Sequence, residues 1–353
     1  MKRSLTIISL SLLPLFGCGK ETQTQDRPLN PSTSEAREEQ KTAEIPEAEM
    51  EIPTPPQPAA TASADSDETR VELLDHGGLS RVALRYAFTP GQNATIVTEE
   101  DITYHVEWNK KPVSESEVYA IKSIVDFKVE ETGKDGVVEI SFLLREHSNK
   151  TKKKNQKGEA LDFWSRSSKK VKELQGSKGV FYVDALGRFV LGEVDIPGQK
   201  PGQVHPWQKE ALLLILTTLV VRLPEEPVGV GARWKITSPI KMPDFQYTQN
   251  SLIQLLEMEG SSLKMSVNNV GHAFSQELDV DPKDKKYYDR AFLDSVYLST
   301  KENRSIDLTA LTLDTQAENE IKLSMSVDKG QKTLGFAVRG AGTVVSFVMQ
   351  GAK

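Results

Sequence analysis

From about residue 71 onward, hydrophobic and polar residues alternate in runs long enough to be strands. Ile102, Tyr104, Val106 and Trp108 lie two apart and so share one face of an extended segment, with His105 turned the other way. Val118–Val129 is a longer, β-branched run that reaches the turn Gly133-Lys134-Asp135-Gly136 and returns through Val137–Leu144, which predicts a hairpin. A tighter hairpin is predicted within Phe181–Gly192, around Asp184-Ala185-Leu186-Gly187-Arg188. Gln246–Met258 runs into Glu259-Gly260-Ser261-Ser262, and Leu263–Val267 returns. A last meander is expected at Ser305–Leu313, Glu320–Val327, Thr333–Arg339 and Thr343–Met349, with Asp328-Lys329-Gly330 as one of its turns. The unit of strand, polar glycine turn and strand recurs as a pattern and not as a repeated sequence.

One helix interrupts this texture. Pro206 suits a first helical turn, and Trp207–Arg222 follows, with Ala211-Leu212-Leu213-Leu214-Ile215-Leu216 inside it. Apolar residues fall on nearly every face, so the helix is expected to be buried on more than one side. Pro224 and Pro227 end it. The apolar stretch is too short to span a bilayer and lacks the polar face of an interfacial helix. The expected fold is mainly β, of α+β character. Long curved antiparallel meanders form a half-barrel or two similar sheet halves (71–222 and 223–353), with the one buried helix over the open face. Such a half-barrel is a good hydrophobic ligand cavity.

The first 70 residues are of another kind. Met1-Lys2-Arg3 is cationic, Leu5–Phe16 is apolar, and Gly17-Cys18 follows, which is the three-part pattern of a secretory signal over 1–17. Cys18 is the only cysteine, so the chain forms no internal disulfide and no cysteine-based metal centre. Leu15-Phe16-Gly17-Cys18 resembles the lipobox of bacterial lipoproteins. The resemblance implies cleavage before Cys18 and acylation of its thiol and amine with palmitate-type chains. More than one chain gives firm anchoring. Gly19 follows the cysteine where an aspartate would signal retention, so in a Gram-negative host the expected place is the outer membrane, facing the periplasm. Residues 19–70 hold seven prolines, no aromatic residue, and 12 acids against 5 bases. Such a composition cannot offset its ordering entropy, and 18–70 reads as a lipidated cysteine on a disordered acidic tether with a reach of about 40 Å.

Charge narrows the partners. Residues 71–353 carry 38 acids and 37 bases, which leaves no basic footprint for nucleic acid. The strongest local run is Lys150-Thr151-Lys152-Lys153-Lys154-Asn155-Gln156-Lys157, near Phe163-Trp164. Lys150, Lys152, Lys153, Lys154, Lys157 and Trp164 are therefore candidate contacts to an anionic surface. Chemistry is sparse otherwise. There is no Gly-x-Ser-x-Gly elbow, no His-Glu-x-x-His helix and no phosphate loop, and Ser177 and Ser305 have no histidine motif beside them. His76, His105, His147, His205 and His272 are never spaced as a metal pair. Asp279-Val280-Asp281-Pro282-Lys283-Asp284 lacks the glycine and closing glutamate of a calcium loop and reads as a solvated turn. No catalytic residue, metal or cofactor is expected.

Leu223-Pro224-Glu225-Glu226-Pro227-Val228-Gly229-Val230-Gly231-Ala232-Arg233-Trp234 carries a further likeness. So do Tyr104, Val125-Asp126-Phe127 with Lys134-Asp135-Gly136, and Asp184-Ala185-Leu186-Gly187-Arg188. Together, over about 80–350, they resemble a family of secreted bacterial proteins, often lipoproteins, defined by a domain of unknown function. The resemblance implies a β-dominated envelope domain and transfers no site residue. The functional expectation is a non-enzymatic, membrane-anchored envelope lipoprotein that binds a lipid or other hydrophobic ligand. The alternative is a structural or interaction lipoprotein that docks on an envelope protein. The lipobox reading predicts that Cys18→Ser abolishes incorporation of labelled palmitate and moves the protein from the membrane to the soluble fraction.

Overall fold

The alternating runs form strands, and the strands join edge to edge. The computed structural model describes residues 69–109, 111–112, 117–149, 172–200, 204, 206–241, 245–278, 289–330 and 332–349. They contain β1 (Arg70–Asp75), β2 (Asn93–Trp108), β3 (Lys111–Pro112), β4 (Glu117–Thr132), β5 (Val138–Asn149), β6 (Lys178–Val183) and β7 (Phe189–Asp195). Helix α1 (Pro206–Leu216) follows, then β8 (Arg233–Lys241), β9 (Gln246–Glu259), β10 (Ser262–Ala273) and β11 (Gln276–Leu278). The last three strands are β12 (Arg290–Asp307), β13 (Leu313–Lys329) and β14 (Lys332–Val348). All belong to one 14-stranded sheet in the order β1-β8-β9-β10-β12-β13-β14-β2-β4-β5-β6-β7, with β11 on β12 and β3 on β2. Every pairing is antiparallel, and β1 and β7 are free edges, so the sheet is open and not closed. The fold is mainly β with one α-helix among the described residues.

Three predicted elements differ in extent. The strand expected at Ser305–Leu313 is instead the end of β12 and a turn. The Asp307 carboxylate accepts hydrogen bonds from the Thr309 amide and hydroxyl and from the hydroxyls of Ser261 and Ser262. This local capping stops the ladder. The two strands expected at Thr333–Arg339 and Thr343–Met349 are one, β14. Gly340-Ala341-Gly342, which suggests a break, stays in register opposite Tyr104-Thr103-Ile102. A Cβ on Gly340 would lie 2.5 Å from the Tyr104 ring, which covers the glycine. The helix ends at Leu216 in a 3-10 turn, Thr217–Leu219, rather than running to Arg222. The Thr217 and Thr218 hydroxyls donate to the carbonyls three residues back, and Val220 is already extended.

Side chains alternate about the sheet, with interruptions at bulges such as that between Leu293 and Ser295. In β13, Leu313, Thr315, Ala317, Asn319, Ile321, Leu323, Met325 and Val327 are buried, while Asp314, Gln316, Glu318 and Lys322 are exposed. One face is thus buried along many strands, and among the described residues one short helix and some loops lie over it. The sheet must coil so that its inner face packs partly on itself. Two apolar clusters result. The larger contains Phe127, Phe142, Phe181, Trp234, Leu255 and Leu263, and α1 joins it through Ala211, Leu212 and Leu216. The smaller contains Ile102, Tyr104, Tyr247, Leu293, Leu323 and Phe336, and Leu214 of α1 packs against it. The helix therefore touches both clusters and is covered on more than one side, as its all-round apolarity predicts.

Loops seal the larger cluster at one end. The Tyr86 hydroxyl donates to the Val221 carbonyl at 3.2 Å and accepts from the Val221 amide at 2.8 Å, all buried. Tyr86 N donates to Ala185 O, Leu223 N to Leu186 O, and Ala87 N to Leu308 O. The segment before β2 thereby pins the β6–β7 turn, the strand following α1 and the β12–β13 turn. Gly187 has a φ of +76°, and a Cβ there would sit 2.5 Å from Val221 O, so only glycine suits this crossing. Trp234 is fully buried and donates through Nε1 to Arg222 O, which makes it a core anchor. Tyr86→Phe leaves both backbone groups of Val221 buried and unpaired. It is expected to lower the unfolding free energy by about 1–3 kcal/mol, measured by urea denaturation.

Candidate functional site

The inner face is not apolar throughout. Directly opposed residues can be followed across six strands from β12 to β5: Arg304, Thr315, Ser346, Thr98, Ser123 and His147. All are polar and all face inward. Their side chains interact along the row: Thr98 Oγ1 lies 3.0 Å from Ser346 Oγ, and Ser123 Oγ lies 2.9 Å from His147 Nδ1. The next inward row holds Glu302, Ala317, Val344, Glu100 and Ile121. The one beyond it holds Asn269, Thr300, Asn319, Gly342 and Ile102. On either side the rows are apolar again. Val348, Ile96, Val125 and Leu144 lie towards the larger cluster, and Leu298, Ile321, Gly340 and Tyr104 lie in or beside the smaller one. A polar band two to three rows wide thus separates the two clusters.

The band is charged and mostly buried. Arg304 Nε donates to Glu302 Oε1, with the two side chains 12% and 5% exposed. Such a pair holds together because breaking it strands a charge in the interior. Arg304 also reaches toward the sealed end. Burial pushes the Tyr86 phenol up to about 12, against the opposing pulls of its hydrogen bond to Val221 and of the Arg304 charge. Glu100 is buried in the same band. Among the described residues, two polar atoms there have no hydrogen-bond partner, Thr315 Oγ1 and Asn319 Oδ1. Not every inward position is closed: Gln249, Asn269, Thr300, Gly342 and Val344 are only half-buried.

His147 sits at the β5 end of the first row. Burial lowers its pKa to about 4, so the ring is neutral at pH 7. A serine beside a neutral imidazole has the parts of a nucleophile and base. A base of that pKa is too weak to draw a proton from serine at neutral pH, and the contact serves as a buried hydrogen bond. Among the described residues, no group of three or more His, Cys, Asp or Glu is placed to hold a metal ion.

Several residues singled out in the sequence lie outside the described residues: Cys18, Lys150, Lys152, Lys153, Lys154, Lys157, Trp164, His205 and the Asp279–Asp284 turn. His76, His105 and His272 are exposed, whereas His147 is buried. Ser177 is buried, with an unpartnered hydroxyl. Two of the runs quoted for the resemblance, Asp184–Arg188 and Leu223–Trp234, meet around Tyr86. Arg188 Nη2 binds Glu225 Oε1 at 2.8 Å, Asp184 Oδ1 accepts from the Leu186 and Arg188 amides, and Arg85 donates to the Pro224 and Glu225 carbonyls. Their role in this chain is to seal one end of the domain. The polar band was not anticipated. Its signal lies in the sequence, as a polar residue at an inward position midway along several strands, but it becomes visible only once the strands are placed in register.

A second feature lies elsewhere on the sheet. A groove of about 1380 Å³ is lined by residues from both faces of the strands, Thr95, Asp126, Lys128, Ser141 and Leu143 together with Ala94, Phe127, Phe142 and Val348, and by Lys209 of α1. Of its lining, Leu143 and Met349 are exposed apolar side chains. No protein-family model matches the chain, and no curated protein matches it.

The buried histidine makes a pH prediction. Its pKa is about 6.5 unfolded and about 4 folded, so between those values the unfolded chain binds more protons. The stabilisation is complete above pH 6.5 and is lost as pH falls toward 4, by about 3 kcal/mol at most. Urea titrations across this window should show that slope in the native protein and a flatter one in His147→Asn.

Proposed function

We propose that this chain is a non-enzymatic, acyl-anchored envelope lipoprotein whose β domain binds a lipid or other hydrophobic ligand on the inner face of its sheet. The observation that carries the reading is the set of half-buried inward positions, Gln249, Asn269, Thr300 and Val344, beside two otherwise closed apolar clusters. A sheet with a finished core has no reason to keep such positions open. The apolar rows on both sides, with α1 packed against both clusters, are what a hydrocarbon chain would meet beside those positions. The signal, the lipobox-like Leu15–Cys18 and the acidic tether support a domain held by its N-terminus at a membrane, without nucleic-acid contact.

Native and then denaturing mass spectrometry of the protein, purified gently from its host membrane, tests the reading. A non-covalent adduct lost on denaturation is the expected result. A clean mass equal to the acylated chain would contradict it. A second reading, docking on an envelope protein, is favoured by that groove and by the exposed Leu143, Phe347 and Met349. In that case in-cell crosslinking from the Phe347 position yields one dominant protein adduct.

A further inference from the structure

We infer that the corner of the domain around Leu79 is a bilayer-docking surface, which seats the domain on the membrane that holds its acyl chains. This rests on the acyl-anchored reading above and is independent of the hydrophobic ligand. Among the described residues eleven large apolar side chains are exposed, and five of them share this corner: Leu74, Leu79, Val82, Val230 and Leu256. Backbone hydrogen bonds join the segments that carry them. Gly78 N donates to Val230 O, Gly229 N to His76 O and Gly231 N to Leu255 O, while Val82 and Val228 exchange both bonds. Leu74 and Leu256 each fall where the register shifts by one residue, in β1 against β8 and in β10 against β9. Such bulges re-aim side chains. Leu79 is 98% exposed at the tip. The tip is held in place: a Cβ on Gly77, whose φ is +73°, would lie 2.4 Å from Gly229 O, so the two loops meet backbone to backbone. A fixed cluster of this kind stays in water at a cost unless a second apolar phase receives it.

Chain connection, shape and charge make that phase the bilayer. The tether leads into β1, and Leu79 lies nine residues beyond Arg70, so anchor, tether and tip are one continuous stretch of chain. β1 is about 20 Å long, so with the tip in the bilayer the tether has roughly half of its reach of about 40 Å to cover. The tether also keeps the corner at high local concentration beside the lipid, so a few apolar side chains suffice. None of the five lines the groove described above, and a protruding tip enters a fluid phase without a matching pocket. Arg81, two residues past Leu79, is exposed and donates through Nε to Gly78 O at 3.3 Å, with no carboxylate in ion-pair reach among the described residues. Its guanidinium stands where an inserted Leu79 would place it, at the level of anionic headgroups.

The test uses the acylated full chain in vesicles of phosphatidylethanolamine and phosphatidylglycerol. Cys18 is the only cysteine and is acylated in this reading, so the thiol of Leu79→Cys alone takes an environment-sensitive fluorophore. Phe274→Cys carries the same label as a control. Phe274 is 82% exposed and lies nine residues past Met265, the partner of Leu255, which is about 30 Å along β10 from the corner. Blue-shifted emission and quenching by doxyl lipids are expected at 79, several-fold stronger than at 274. Leu74→Ser with Val230→Ser, both at exposed positions, should bring the signal at 79 down toward that at 274. Equal quenching at the two positions would overturn the docking inference and leave the anchor standing. So would a signal unchanged by the double substitution, since the label alone would then account for it. Shielding at 79 in native membranes but not in lipid vesicles would assign the corner to a protein and overturn the inference as well. Labelling of Cys18 in the native chain, or a failure to float with the vesicles, would overturn the anchored reading and this inference with it.

Discussion

Strand register from β12 through β13, β14, β2, β4 and β5 is the constraint on which this domain depends. Side chains alternate with a period of two, so a slip of one residue between neighbours would turn an entire inward set outward. The apolar rows specify that register strongly: Ile306 opposite Leu313, Ile96 opposite Val125, and Leu323 opposite Val338 must all be removed from water together. Once they are, Arg304, Thr315, Ser346, Thr98, Ser123 and His147 are carried inside with them, although none would enter the interior alone. Hydrophobic burial on either side thus carries the cost of the polar band. The band's internal pairings, Arg304 with Glu302, Thr98 with Ser346 and Ser123 with His147, reduce that cost without cancelling it.

The remaining architecture follows from covering the buried face of an open sheet. The chain leaves β7 at one edge and re-enters at β8, beside the other edge, so α1 belongs to a connection that must travel from one side of the sheet to the other. That explains a helix apolar on nearly every face, which an amphipathic helix on a flat sheet would not need. At the sealed end, Tyr86 holds Val221 by both backbone groups, and glycine at 187 lets the β6–β7 turn approach within contact distance. The rigid end lies with the larger cluster, and the half-buried positions lie beyond it, toward the smaller one.

Much of the fold was legible in the sequence because strands and hairpins are local. The turn glycines, the alternation in Val118–Val129 and Gln246–Met258, and the all-round apolarity of Ala211–Leu216 each report on a few neighbouring residues. The elements that differ did so for tertiary reasons. Gly340-Ala341-Gly342 reads as a break until Tyr104 supplies the missing side chain from the next strand. Ser305–Leu313 reads as a strand until Asp307 gathers four hydrogen bonds that cap it. The polar band was the least legible part. Thr98, Ser123 or Thr315 alone is an unremarkable polar residue in a β-rich segment. Their meaning depends on pairings between β14 and β2 and between β12 and β13, one of which joins residues some 250 positions apart, such as Thr98 and Ser346.

The central claim is that the inner face keeps two polar atoms, Thr315 Oγ1 and Asn319 Oδ1, buried and unpaired among the described residues. Urea unfolding of delipidated Thr315→Val against the native chain tests it most directly, since valine keeps the shape and removes the hydroxyl. The account predicts that the variant is as stable as the native protein or more stable, by up to about 1–3 kcal/mol, because an unsatisfied group has been removed. A loss of more than about 1 kcal/mol would show that the hydroxyl is already hydrogen-bonded within the protein, and would contradict the account.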